Sequence, residues 1–184
     1  MIPVETNLLT LLRQHAALTP DAPCLTFGEE TLGFGTFDAR ASRVAHALAA
    51  QGVREGDRVA IIARNWPAQF ELFFGCAKEG AICLPINWRL APREIAGILG
   101  DSTPALLIVE ETLVGLLAET PAPPATIRLA DYPGWRDAGS AADKGTLPAP
   151  DTPAANPLHL RHDRPAKRRG AQPPQPLVSG ADGA

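Results

Sequence analysis

Apolar residues recur along the first two thirds of the chain in two alternating rhythms. In "NLLTLLRQHAALTPDAP", Leu8, Leu11, Leu12 and Ala16 stand at helical spacing, and Pro20 and Pro23 stop the pattern. The opening of "CLTFGEETLGFGTFDARASRVAHALAAQGV" predicts two short strands around the turn Gly28-Glu29-Glu30. From Phe37 to Ala50, Ala41, Val44, Ala45 and Leu48 mark one helical stripe, closed by Gly52. Past the Glu55-Gly56 turn, Val59 to Ala63 is apolar at nearly every position, as a strand buried on both faces is. "PAQFELFFGCAKEG" predicts a helix that Pro67 opens and Gly80 closes. "AICLPIN" reads as a second buried strand, "APREIAGILGDS" as another proline-opened helix, and "PALLIVEE" as a third strand. This alternation with short connections predicts an α/β fold, a short mostly parallel sheet flanked by helices and joined by right-handed crossovers.

After about Val114 the rhythm weakens. The spacing predicts an α/β portion over residues 1–118 and a Pro/Ala-rich linker over 119–155, with at most one strand around Thr126 to Ala130. Residues 156–184 are expected to be a disordered tail. Proline numbers 19 in 184 residues and gathers in the last third, so two compositions share one chain.

Composition otherwise excludes more than it suggests. The net charge of −3 offers no global attraction for nucleic acid or anionic lipid. No stretch approaches the roughly 20 apolar residues of a membrane span. The N-terminus lacks the pattern of a secretory signal, so cytoplasmic residence is the default expectation. Cys24, Cys76 and Cys83 form no CxxC pair, and the last two sit in the apolar stretch "FFGCAKEGAICLP", where a thiol behaves as a small core hydrophobe.

Candidate chemistry is sparse. Gly28, Gly33 and Gly35 do not form the GxGxxG of a dinucleotide turn, and GxxxxGK[ST] does not occur. His15 and His46 fall on helices without carboxylates at ligand spacing. His159, His162 and Asp163 resemble a metal cluster only superficially, amid arginine and proline. Glu29, Glu30, Glu55 and Asp57 read as turn residues. No catalytic, cofactor-binding or metal residue is assigned.

The wording of the chain carries a resemblance. "PDAP" before the first strand, "ARASRVAHALAAQGVREGDRVAI" and "AKEGAICLPINWRLAPREIAGILGDS" resemble the N-terminal end of the AMP-forming acyl-CoA synthetases, in the adenylate-forming superfamily. The likeness covers about Asn7 to Glu111, and "INWRLAPREI" leans toward the fatty-acid CoA ligases. The resemblance implies activation of a carboxylic acid by ATP and magnesium to an acyl-adenylate, then transfer of the acyl group to coenzyme A. It also implies a flexible phosphate loop, YTSGTTGxPKG, after a linker like "DTPAA" (Asp151 to Ala155), where backbone amides and a lysine neutralise phosphate charge.

After Ala155 the chain instead reads "NPLHLRHDRPAKRRGAQPPQPL". Taken from the second base of each codon, Asn156 through His162 yields triplets that can spell Ile-Leu-Tyr-Thr-Ser-Gly-Thr. The run to Arg169 allows Thr-Gly-x-Pro-Lys-Gly, and the codons beyond it allow Arg-Asn-Leu. The tail thus reads as the family's phosphate loop translated one base out of phase, its basic character a by-product. On this expectation the chain is a truncated N-terminal fragment, inactive alone, without its own ATP, magnesium or coenzyme A site and with exposed sheet edges. The alternative is a stand-alone α/β binding or regulatory module whose basic tail contacts phosphates.

Overall fold

The computed structural model describes residues 7–145. The helix α1 spans Leu8–Leu18, with Asn7 Oδ1 accepting from the Thr10 amide at 2.8 Å. That bond satisfies one of the free amides of a helix N-terminus. Strands β1 (Pro23–Phe27) and β2 (Glu30–Gly33) pair antiparallel across Gly28, whose φ of 59° suits glycine in the left-handed region. Helix α2 (Phe34–Ala50) begins one turn earlier than its apolar stripe suggests, and Gly52 lies just past its end at φ 82°.

The second sheet has four strands, all parallel, in the order β4-β3-β5-β6. These are β3 (Arg58–Ile62), β4 (Ile82–Pro85), β5 (Leu106–Val109) and β6 (Ala125–Arg128). Helix α3 (Pro67–Glu79) joins β3 to β4 and ends on Gly80 in the left-handed region. Helix α4 (Pro92–Ser102) joins β4 to β5, and a 3-10 helix, Glu111–Leu117, precedes β6. This is the parallel α/β architecture expected from the pattern, with helices on both faces.

Each face has its own apolar layer. Val44 and Leu48 of α2 and Leu72 and Cys76 of α3 pack on Val59, Ile61, Leu106 and Ile108. On the opposite face Ile95 and Leu99 of α4, with Leu113, pack on Ala60, Ile62, Leu107 and Val109. Complete burial of a leucine such as Leu72 contributes about 2 kcal/mol. Alternate residues of β3 and β5 thus serve opposite layers, which is why their sequences lack a polar face.

Two features depart from the pattern. "AICLPIN" has the composition of a central strand, yet β4 is an edge strand and only half-buried at Ile82, Cys83 and Leu84. Beyond 118 the described residues form one strand and, in addition, a helix. The strand is β6 and the helix is α5 (Tyr132–Asp137), whose Tyr132 is 2% exposed and enters the first apolar layer, with Trp135 packed against it. Two aromatic residues three positions apart anchor a six-residue helix too short for periodicity to reveal. The expected tail, 156–184, lies outside the described residues.

Candidate functional site

In an open parallel sheet the chemically available place is the crevice at the carboxyl ends of the strands where strand order reverses. Here the chain leaves β3 for β4 on one side, and β5 lies on the other. The crevice therefore opens between Ala63-Arg64, after β3, and Glu110-Glu111, after β5.

Glu110 occupies it. Its carboxylate accepts from the Arg64 amide at 3.0 Å, from Arg64 Nη1 at 2.6 Å and from Thr112 Oγ1 at 2.7 Å. The backbone amide of Arg64, foremost, then the Thr112 hydroxyl and the Arg64 charge hold Glu110 below the usual carboxylate range against the opposing effect of burial. Arg64 also lies over the Trp88 ring, 5.3 Å from its centroid, and Arg89 lies 4.4 Å from the same centroid. The arrangement ties the ends of β3 and β5 together. It contains no nucleophile, and the carboxylate that could serve as a base is fully engaged.

A cleft of about 430 Å³ lies beside it, with Phe27, Trp66, Pro67, Leu129 and Tyr132 among its walls. Glu71, 1% exposed, lies at this cleft. It accepts from Arg136 Nη1 at 3.0 and 3.2 Å and from Arg40 Nη1 at 3.2 Å. Burial, and then the neighbouring Glu71 charge, push the Tyr132 phenol well above its ordinary range, so it remains neutral. Lys78, also buried, pairs with Asp38 at 2.8 Å and Asp143 at 2.9 Å, and Asp143 further accepts from Arg13 at 2.6 Å. Each buried charge is compensated, as burial requires.

The residues weighed from the sequence are scattered. His15 stacks on Phe34 at 4.7 Å, and His46 Nε2 lies 3.0 Å from the Ala142 carbonyl oxygen. Cys76 is buried, and burial raises its thiol well above the normal range, which removes thiolate reactivity. His159, His162 and Asp163 lie outside the described residues. Sequence spacing missed the Glu71 and Lys78 networks, since Arg136 and Asp143 lie 65 residues from them. The available signal was the presence of Glu71 and Lys78 within a largely apolar helix.

Among the described residues no group of His, Cys, Asp and Glu could hold a metal ion. Nor do they present a Ser/Thr/Gly loop with a lysine for nucleotide phosphates.

The fold and its strand-end crevice place the chain among the open parallel α/β proteins only broadly; comparison narrows this. Residues 12–175 match the AMP-binding enzyme family, and the chain belongs to it. It is 36% identical over 147 residues to the fatty acid–[acyl-carrier-protein] ligase ScoC of Streptomyces coeruleorubidus, covering 77% of this chain and 28% of that protein. It is 33% identical over 153 residues to the long-chain-fatty-acid–CoA ligase FadD13 of Mycobacterium tuberculosis, covering 80% of this chain and 29% of that protein. The N-terminal domain of FACL13 from Mycobacterium tuberculosis superposes with a TM-score of 0.70 at 28% identity, covering 77% of this chain and 38% of that one. The chain thus spans under a third of the length of these two ligases. Among the described residues no helix is long and apolar enough to cross a membrane.

Proposed function

We propose that the chain is the N-terminal part of an acid–CoA ligase whose reading phase changes at about Ala155. The ligase takes a carboxylic acid, fatty acids being the favoured class, activates it with ATP and magnesium to an acyl-adenylate, and passes the acyl group to coenzyme A. The 184-residue chain supplies part of the scaffold and is inactive alone. Residues 1–118 and 119–155 are the organised portion and its continuation toward the phosphate loop, and 156–184 are read out of phase.

One observation carries this reading: the codons from Asn156 onward allow the family's phosphate loop, residue after residue, one base over. The family match supports the membership in the AMP-binding enzymes on which the reading builds, whatever the reading phase. The acid and CoA ligase relatives support the substrate class.

The test is acid-dependent ATP–pyrophosphate exchange. It compares the 184-residue chain with the product of the same gene after removal of one base at the Ala155–Asn156 junction. Exchange by the second chain alone is expected. Clear exchange by the 184-residue chain contradicts the proposal, as does inactivity of the phase-restored chain.

A further inference from the structure

Two of the three cysteines lie on consecutive elements, Cys76 in the last turn of α3 and Cys83 near the start of β4. The amides of Gly80 and Ala81 both donate to the Cys76 carbonyl oxygen, the second at 2.9 Å, so the chain turns back at Gly80 and β4 starts beside the end of α3. Cys83 lies opposite Val59 in the parallel register of β3 and β4. Residues opposite one another in paired strands point to the same side of a sheet, and Val59 belongs to the layer beneath α2 and α3. Cys83 therefore points toward α3, and it packs against the cluster that contains Cys76. Burial first, and then the neighbouring Cys83 thiol, raise the Cys76 thiol, as a group within close reach does.

The two thiols differ in access. Cys76 is 1% exposed, whereas Cys83 is half-buried on a strand that has no second neighbour among the described residues. An oxidant in solvent thus meets Cys83 first, with Cys76 directly behind it. Cys24 stands apart, packed against the separate cluster of Leu12, Leu32 and Phe37. A disulfide asks for Cβ atoms about 3.5–4.5 Å apart. The contraction this requires falls on β4, which is held by β3 on one side alone among the described residues and can follow the sulfur toward α3.

We propose that Cys83 and Cys76 form a thiol-modification site, at which a peroxide oxidises Cys83 and Cys76 resolves the product as an intrachain disulfide. With hydrogen peroxide, the Cys83 sulfur attacks one peroxide oxygen, the O–O bond breaks, and a sulfenic acid and water result. The Cys76 sulfur then displaces the hydroxyl group from Cys83, and the Cys76 proton leaves with it as water. Two thiols and one peroxide give one disulfide and two waters; the sulfurs lose the two electrons that the peroxide gains. Cys76 does not react with the oxidant itself, and because it gives up its proton reluctantly the second step is the slower one. The bridge closes residues 76–83 into a loop around Gly80 and ties the exposed edge of the sheet to α3. It also spares Cys83 the irreversible steps beyond sulfenic acid.

The test treats the 184-residue chain with hydrogen peroxide, blocks the remaining thiols with N-ethylmaleimide in urea and digests the product with trypsin. Cleavage after Lys78 separates the two cysteines, so peptides 65–78 and 79–89 stay together only through a disulfide. The expected product is that joined pair, about 2 Da lighter than the sum of the two free peptides, with Cys24 carrying the maleimide. Cys76→Ala should leave Cys83 as a sulfenic acid that dimedone captures, and Cys83→Ala should leave Cys76 a free thiol. The wild-type product decides the matter whether or not either variant folds. Joining of Cys83 to Cys24 or to a second chain overturns the pairing, as does dimedone capture at Cys83 in the wild type with Cys76 still free after prolonged treatment. Survival of both thiols through the treatment overturns it as well.

Discussion

Gly75 lies where α3 presses on α2, and its replacement by alanine tests that contact. A Cβ there would stand 2.3 Å from Val44 Cγ1, 2.6 Å from Val44 Cβ and 3.2 Å from Ala41 O. Carbon atoms settle at about 3.5–4.0 Å, so the overlap exceeds an ångström. Val44 is fully buried and β-branched, with one favoured rotamer in a helix, so it has nowhere to turn. Overpacking of this kind costs about 1–3 kcal/mol, and the overlap places this case toward the upper end. The better helix propensity of alanine returns about 1 kcal/mol, leaving Gly75→Ala destabilised by roughly 1–2 kcal/mol. Gly97→Ala in α4 is the control, because a Cβ there meets nothing within 4 Å. It should stabilise by about 0.5–1 kcal/mol. Urea titration followed by circular dichroism reads both, with slopes of about 1–3 kcal/mol per molar. If Gly75→Ala raises the midpoint as Gly97→Ala does, α2 and α3 are not in the contact described.

Other perturbations address the charge networks. Glu71→Gln removes the charge between Arg40 and Arg136 and should cost about 3 kcal/mol, the low end for breaking a buried ion pair, because Arg40 keeps Glu30 and Arg136 keeps Asp137. A urea midpoint equivalent to under about 0.5 kcal/mol of loss would show the network to be inert. Burial tends to raise the Asp143 carboxyl, but bonds from Arg13, the Gly145 amide and Lys78 overcome it and hold the group well below its usual range. The Glu110 carboxyl is held low as well. Folded values below the unfolded ones, about 4, mean that this stability is complete above that pH and is lost as pH falls through the depressed values. Asp143→Asn should therefore lower stability at pH 7 and flatten the acid limb of a stability–pH profile. An unchanged limb would exclude the Asp143 contribution. Gly139→Ala would place a Cβ 2.1 Å from Arg43 O and should lift residues 139–143 from α2, seen as faster proteolysis in that segment. Wild-type cleavage kinetics would show that the return path is not held there.

The sheet was legible because each of its first three strands lies between turn signals and two helices carry a proline start. Gly80 likewise marked the end of α3. Spacing could not show the position of β4. A strand's composition reports the neighbours it was selected to have, and the edge became visible only when pairing was known. Helix α5 escaped because a six-residue helix has no period to read; its burial depends on Tyr132 and Trp135 meeting a layer built by residues 44–108. The ion networks escaped for a related reason, since Glu71 finds Arg136 through the fold and not through any local spacing. The strand-end crevice is a consequence of strand order alone, whereas its filling by Arg64, Glu110 and Trp88 required the folded structure.

The most direct measurement is the genomic DNA sequence across the codons for Asp151 to Arg169. A phosphate loop one base over demands particular spellings: AAT for Asn156, a third-position A in Leu158, and AGG for Arg168. A change of phase at Ala155 predicts these three together, and then, in that phase, an open frame encoding the rest of a ligase. Any other base at the Leu158 or Arg168 positions, or a stop soon after them in the neighbouring phase, would contradict it.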